Sequence, residues 1–465
     1  MSILRMSKSC FIVRYGMGIS LAMGIACLLL ISTSGCQSRY AKHMTEVRSD
    51  LFAGDTTTAL QKIEDRERKA SAREGDVLEL DAAIIDLCNG NTKEAEKRLL
   101  AVRDHFDELE NAQLKKGTGN LLSLWMDDNT RPYQGEDYEK ILVRSFLALT
   151  NLLQQGNDAQ AYAYQIAQKQ DEIIRGGLAL DPEKKDNPKL AYKQVALGPY
   201  IQGILWESTW LNQKDAVAAY QKTVQWAPWF RHGRLALGRA EKGVHSVKEN
   251  GVVYIFTLVG RGPYKEQDEA EATTVSLLVA DRIFSAVSKY SVPPTLAPVP
   301  IPVIHCEWGN IGAVGVIVDG KPVCATETVL DVNAMAKEQF EAIRDQIIAR
   351  AIIRRVVKKG TLYAVKDIID ANEWVSLAMD ASGVLWEATE TADTRCWALL
   401  PAQIQVARLE LPAGKHELQL QACYDDLSPF GQPHSVTIDV PLHRNTYVLA
   451  NFPGSEPIGK IVVSQ

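Results

Sequence analysis

Hydrophobic positions along this chain recur at more than one period, and each period predicts a different kind of element. Up to about residue 245 the spacing is helical, with small and aromatic residues three or four apart between short polar turns. From Gly251 it shortens. Residues 252–258 read VVYIFTL, an unbroken β-branched and aromatic run of strand length, and Gly260-Arg261-Gly262-Pro263 ends it. Residues 273–288 return to a helical pattern, and five prolines in 291–302 impose an extended connector. Residues 311–323 predict a hairpin turning at Asp319-Gly320. The strongest helix follows over 332–358: Ala336, Phe340, Ile343, Ile347 and Ala351 form one apolar row, with Ile348, Ile352 and Val356 beside it. Asp331 or Asn333 can cap its start, and Lys358-Lys359-Gly360 suits its end. It is expected to lie across a sheet. After a further helical stretch at 374–391 the tail predicts strands at 404–409, 416–424, 435–442, 446–452 and 460–464, the first two joined as a hairpin by residues 411–415. Residues 435–440 alternate polar and apolar, as a strand with one wet face does.

Within 38–245 the clearest unit is residues 200–228, where Ala216 precedes Tyr220 by four residues and Pro228 closes the segment. This resembles the second half of a tetratricopeptide repeat: a small residue lets two helices approach, an aromatic fills the groove and proline ends the unit. Gly54-Asp55 before Ala59, Gly90-Asn91 before Ala95 and Gly156-Asn157 before Ala161 repeat the pattern in degenerate form. The polar run 181–189 reads as a surface insertion. Stacked helix pairs bury faces that no single pair can, and they leave a concave surface suited to peptides or proteins. An irregular bundle without a groove is the simpler alternative.

A different apolar run opens the chain. Arg5, Lys8 and Arg14 precede an apolar stretch over 15–32, and Thr33-Ser34-Gly35 places small residues directly before Cys36. This is the layout of a lipoprotein signal peptide spanning 1–35, with Cys36 as the diacylglycerol acceptor. The expected address is the cell envelope, lipid-anchored, on the periplasmic face of the outer membrane where the organism has one. No later apolar run reaches membrane-spanning length.

Composition changes the picture little. At 46% hydrophobic and 23% charged the chain is ordinary globular protein, and a net charge of −6 argues against nucleic acid as a partner. Export makes the cysteines of interest: Cys306, Cys324, Cys396 and Cys423 can form two disulfides, the local choices being 306 with 324 and 396 with 423, or they are buried thiols. No nucleophile elbow, zinc-binding helix, CxxC pair or phosphate loop is present. His305-Cys306 with Cys324 falls short of a metal ligand set. No cofactor or catalytic residue is therefore assigned. Trp206, Trp210, Tyr220, Trp226 and Trp229 cluster in sequence, and they either line a partner-binding groove or stack as core between repeats.

Three further stretches stand out: 129–139 (NTRPYQGEDYE), 260–265 (GRGPYK) and 393–401 (DTRCWALLP). Read by residue, the first is a turn followed by acidic charge on a helix's first turn, where the dipole favours it. The second is a tight turn after a strand. The third holds an Asp393–Arg395 pair beside Trp397. Together, and in this order, they resemble an uncharacterised family of bacterial lipoproteins with tetratricopeptide-like N-terminal helices and a mixed C-terminal region. The resemblance spans most of the mature chain and implies an envelope lipoprotein, with no reaction to carry over; Cys396 stands where a small polar residue is expected.

The reading is thus an α+β protein: TPR-like helical repeats over 36–245, a mixed α/β region over 246–392, and an antiparallel, β-sandwich-like domain over 393–465. The function expected of it is a non-enzymatic, membrane-anchored scaffold that binds an envelope protein through its repeats. The alternative is a peptidoglycan- or carbohydrate-binding module using the terminal strands and exposed aromatics; a hydrolase built from dispersed carboxylates is the least supported.

Overall fold

The structure is a computed structural model that describes residues 39–69, 73–116, 132–176, 187–209, 212–285, 298–307, 309–368 and 391–464. Cys36, Trp210, the signal segment, residues 129–131 and most of 374–391 lie outside these residues. Helices fill the first half: α1 (Arg39–Phe52), α2 (Thr56–Glu67), α3 (Gly75–Asn89), α4 (Thr92–Lys116), α5 (Asp137–Leu153), α6 (Ala159–Arg175), α7 (Leu197–Glu207), α8 (Gln213–Trp226) and α9 (Arg231–Glu241). Each packs chiefly on the helices before and after it in sequence. Ala59, Ala95 and Ala216 are fully buried at these contacts, while Ala161 is exposed and Ala163 takes the buried place instead.

Alternate helices differ in chemistry because they occupy different layers. Most residues of α3 and nearly all of α5 are buried, well beyond the single apolar stripe of a surface helix, although both carry charged residues. They form an inner layer that touches the sheet behind them.

That sheet is five-stranded, in the order β11 (Ile458–Val463), β10 (Asn445–Phe452), β1 (Asn250–Val259), β7 (Gln403–Pro412), β6 (Glu327–Asp331). β1 explains the VVYIFTL run. Val252, Tyr254, Phe256 and Leu258 join the core under the helices, and Val253, Ile255 and Val259 join a second core on the other face. A strand covered on both faces needs no polar alternation. Its partner β10 runs parallel to it, with Val252 opposite Asn445. The second core is closed by a four-stranded sheet, β5 (Lys321–Ala325), β4 (Ala313–Val318), β8 (Gly414–Cys423), β9 (His434–Val440), which contributes Val314, Val316, Leu418, Leu420 and Ile438. The molecule is therefore mixed α+β: helices, sheet and sheet, in layers.

Three expectations need correction. The last strands do not form an antiparallel unit of their own: β7, β10 and β11 share a sheet with β1 and β6, β8 and β9 share one with β4 and β5, and one pair is parallel. Residues 411–415 do not close a hairpin: β7 pairs with β1 along its length and with β6 over Gln403–Val406, β8 pairs with β4 and β9, and the turn carries the chain from one sheet to the other. The long helix, α11 (Val332–Ile368), runs past Gly360. Asp331 does cap it, accepting from Ala334 N at 2.8 Å. It packs on α10 (Thr274–Ser285) and on β3 (Val299–His305), which pairs with β2 (Tyr264–Ala270) in a separate two-stranded sheet that takes up Pro300 and Pro302. The Asp319-Gly320 hairpin forms as expected, both residues having positive φ (49° and 75°) as a type I′ turn requires.

Candidate functional site

Residues 391–402 form neither helix nor strand, yet nearly all of them are buried between the inner helices and the five-stranded sheet. Backbone amides and carbonyls removed from water must find partners. With no ladder to supply them, side chains do. Tyr40 of α1 donates to Cys396 O at 2.9 Å, and Arg48 of the same helix donates to Ala398 O. Asp81 of α3 accepts from Leu399 N at 2.9 Å, and Glu139 of α5 accepts from Trp397 N at 2.8 Å. Gly262 N donates to Leu400 O at 2.7 Å from the other side. A Cβ at Gly262 would lie 2.3 Å from that same oxygen, so glycine is required for the approach. Trp397 fills the space beside Phe146 with ring centroids 5.3 Å apart. The segment is a strap that helices α1, α3 and α5 hold by their inner faces.

The three stretches singled out in the sequence meet here. Glu136, Asp137 and Glu139, which read as one acidic first turn, have three separate fates. Asp137 faces Lys189 (2.6 Å) and the Tyr192 hydroxyl (3.0 Å). Glu136 pairs with Lys265, whose side chain is buried. Glu139 is fully buried and is the hub: besides Trp397 N it accepts from Glu136 N at 2.9 Å, completing the return half of a capping box, and from the hydroxyls of Tyr133 and Tyr138. Asp393 and Arg395 make the expected pair, two-pronged at 2.9 and 2.6 Å, and Arg395 also donates to Arg73 O at 2.6 Å.

Burial dominates the electrostatics. It raises the carboxyls of Glu139 and, further, Asp81 above the usual range, because both are removed from water. Burial works against charge on Lys265 as well, but Glu136 and Glu139 outweigh it and hold the ammonium above its ordinary range. Asp393 is held low despite its burial by the hydrogen bonds and charge of Arg395. The Cys396 thiol is pushed up to about 12, by burial first and by Glu139 second, so it carries no thiolate at neutral pH.

The four cysteines read either as two local disulfides or as buried thiols are free thiols. Cys396 sits in the helix-side core, while Cys423 lies on β8 against Gly315. Cys306 lies by the start of α11, its thiol on Asn333 O, while Cys324 packs into the core between the two sheets. Different layers hold the two members of each local pair. Among the described residues, no three His, Cys, Asp or Glu side chains gather as a metal site, and no helix is long and apolar enough to cross a membrane.

The aromatic cluster is divided too. Tyr220 is fully buried, donates to Glu207 at 2.7 Å and lies against Gly203, so it is core and lines no surface. Trp206 and Trp226 are half-buried against the helical core. Trp229 is 63% exposed. Tyr40, Arg48 and Asp81 were not singled out by the sequence. Nothing in sequence set Asp81 apart, since α3 also carries Asp76, Glu79 and Asp86.

No protein-family profile matches this chain, and neither a curated protein nor a solved structure shows significant similarity to it.

Proposed function

We propose that this protein is an envelope lipoprotein, tethered at a membrane by lipid on Cys36, whose body is a non-enzymatic scaffold for a protein partner. The observation that carries the reading is the run from Arg5 to Cys36, a positive segment, an apolar segment and small residues before a cysteine. Two acyl chains suffice for stable anchoring where one does not. The stacked helices are read as degenerate tetratricopeptide-like repeats and the two facing sheets as a β-sandwich-like unit. The way α1, α3 and α5 together hold one continuous segment supports the first of these, since stacked repeats present such a continuous surface. Their inner face is taken by the chain's own strap. The partner surface is therefore placed at the end of the array, around the exposed Trp229 with Trp226 beside it, rather than in the concavity. The order of the three motifs, which resembles that of the lipoprotein family, points to the same compartment.

Metabolic labelling with a palmitate analogue tests the tether: wild type takes up label and Cys36→Ala does not, and undiminished label in the variant refutes the assignment. For the scaffold, tagged full-length protein is expected to retrieve one defined envelope protein, and Trp229→Ala to retrieve much less of it. Equal retrieval removes Trp229 from the interface. A second reading, a cell-wall glycan or peptidoglycan binder, is favoured by Tyr424, which is 44% exposed and stacks on Phe430 with centroids 4.3 Å apart at one end of the four-stranded sheet. Co-sedimentation with purified cell wall, lost in Tyr424→Ala, would select it.

A further inference from the structure

The two ends of strand β8 carry unlike surfaces. At its start the loops 242–250 and 441–444 lie together: Ala413 N donates to Glu249 O and His443 N to Asn250 O, both at 3.1 Å, and Val247 N is fixed on Glu410 at 3.0 Å. Val244, Val247 and Leu442 are exposed there, Val247 to 62%. The same two loops carry Lys242, Lys248 and Arg444, all exposed, against one acid, Glu249. Past the other end of the strand, residues 424–430 (YDDLSPF) hold two acids and no base. Their backbone is folded back on itself: Tyr424 N donates to Ser428 O at 2.9 Å, Leu427 N to Tyr424 O at 3.0 Å, and Phe430 N to Ala422 O at 2.8 Å. Leu427 projects from this turn, 58% exposed and with a φ of 65°. Glycine or asparagine takes such a backbone with less strain and puts no aliphatic side chain in water. Leucine is unfavourable there on both counts in the isolated molecule, and an apolar contact made by its side chain offsets that cost.

We propose that the acidic turn bearing Leu427 docks on the basic, aliphatic surface at the start of β8 in a second copy of this chain, so that copies associate head to tail. The two surfaces are opposite in charge and each adds exposed apolar side chains, which is the complementarity a specific contact needs. They cannot meet within one molecule: one adjoins the residue before β8 and the other the residue after it, and a strand of ten residues spans about 30 Å. Each copy therefore presents one surface of each kind, and the contact is heterologous, closing into a ring or extending as a chain. A lipid surface also suits a basic, aliphatic patch, but it gives the acidic turn and Leu427 nothing to bind. The contact uses no residue of the Trp229 surface, so it goes beyond the scaffold reading and does not depend on it.

Sedimentation velocity tests this on the full-length chain, in a non-ionic detergent that keeps the apolar N-terminal stretch from driving association. Wild type is expected to form species that grow beyond the dimer as concentration rises, and to associate several-fold more weakly in high salt, which screens the charges. Leu427→Asp removes the apolar tip and Val247→Asp spoils its seat, so each variant alone is expected to be monomeric. An equal mixture of the two should form a dimer and stop there, because one copy supplies an intact turn and the other an intact seat. That recovery also shows both variants to be folded. Leu427→Ser with Val247→Ser, which add no charge, should repeat the pattern. A wild type that stays monomeric at every concentration, or that stops at a dimer, overturns the proposal. So do single variants that associate as wild type does, and mixtures of either pair that stay monomeric. Monomeric wild type that binds vesicles of anionic phospholipid, and loses them in Val247→Asp, would assign the basic surface to a membrane instead.

Discussion

Two segments at the centre of this protein are buried almost completely, and they are buried by opposite means. β1 is apolar and regular: its backbone is paired on both sides by β7 and β10, and its side chains feed two cores. The strap is irregular: its backbone is paired by Tyr40, Arg48, Asp81, Glu139 and Gly262, each from a different part of the chain or a different turn of a helix. A ladder distributes its hydrogen bonds over many equivalent groups, so no single side chain is indispensable to it. A strap concentrates them in a few. The comparison teaches that, besides the apolar core which the helical half and the sheet half share, a handful of polar side chains join them, and that deleting either half would strand the other's buried polar groups.

Changes in the strap should therefore cost far more than changes in β1. Trp397→Ala is expected to lower stability by ~3–5 kcal/mol, as a large aromatic lost from a full core does. Glu139→Leu should cost a similar ~3–5 kcal/mol, because it leaves Lys265 with one carboxylate fewer and strands Trp397 N and Glu136 N. Urea unfolding of each variant checks both, and a loss below ~1 kcal/mol for either would mean that the strap is not held as described. Gly262→Ala comes next, at ~1–3 kcal/mol, since the added methyl meets Leu400 O.

Asp81 sharpens the contrast through pH. Its carboxyl is raised in the fold, so the folded chain binds that proton more tightly than the unfolded chain does. The resulting stability is full below the unfolded value of about 3.9 and is lost as pH rises toward the folded value. Asp81→Asn keeps an acceptor for Leu399 N and cannot ionise. The variant should therefore be more stable than wild type at pH 8, with the difference closing toward pH ~4. A difference independent of pH would show that Asp81 does not carry this proton. The smallest effect belongs to β1. Thr257 is fully buried there with its hydroxyl unpartnered, so Thr257→Val should shift stability by less than ~1 kcal/mol, toward gain. A loss larger than that of Gly262→Ala would reverse the ranking of the two segments.

The same contrast separates what was legible in the sequence from what was not. The β1 run, the apolar row of α11, the Asp319-Gly320 turn and the five terminal strands are local patterns, and the elements appear where those patterns predict them, within a few residues. The strap has no period to read. Its partners Glu139, Asp81, Arg48 and Tyr40 lie 258 to 356 residues away in sequence, so nothing in DTRCWALLP by itself announces that it is buried. Glu139 stands in the first turn of its helix, as read, but a glutamate there is ordinarily solvated, and only the strap lying over it makes it a buried hub. The turn at 411–415 has good hairpin chemistry, but β7 and β8 take their partners from elsewhere in the chain and enter different sheets. Of the two readings open for Tyr220, groove lining or core, the structure takes the second, because Gly203 leaves room for its ring.

By itself the sequence determined the periodic elements, since they are written in neighbouring residues, and the proposal of lipid on Cys36 rests on a signal of the same local kind. Tertiary structure alone decided which strands share a sheet, which thiols stay apart, which carboxylates leave water and what fills the inner face of the helices. Those outcomes depend on contacts between residues hundreds of positions apart, where burial changes the chemistry of a side chain that its neighbours in sequence leave ordinary.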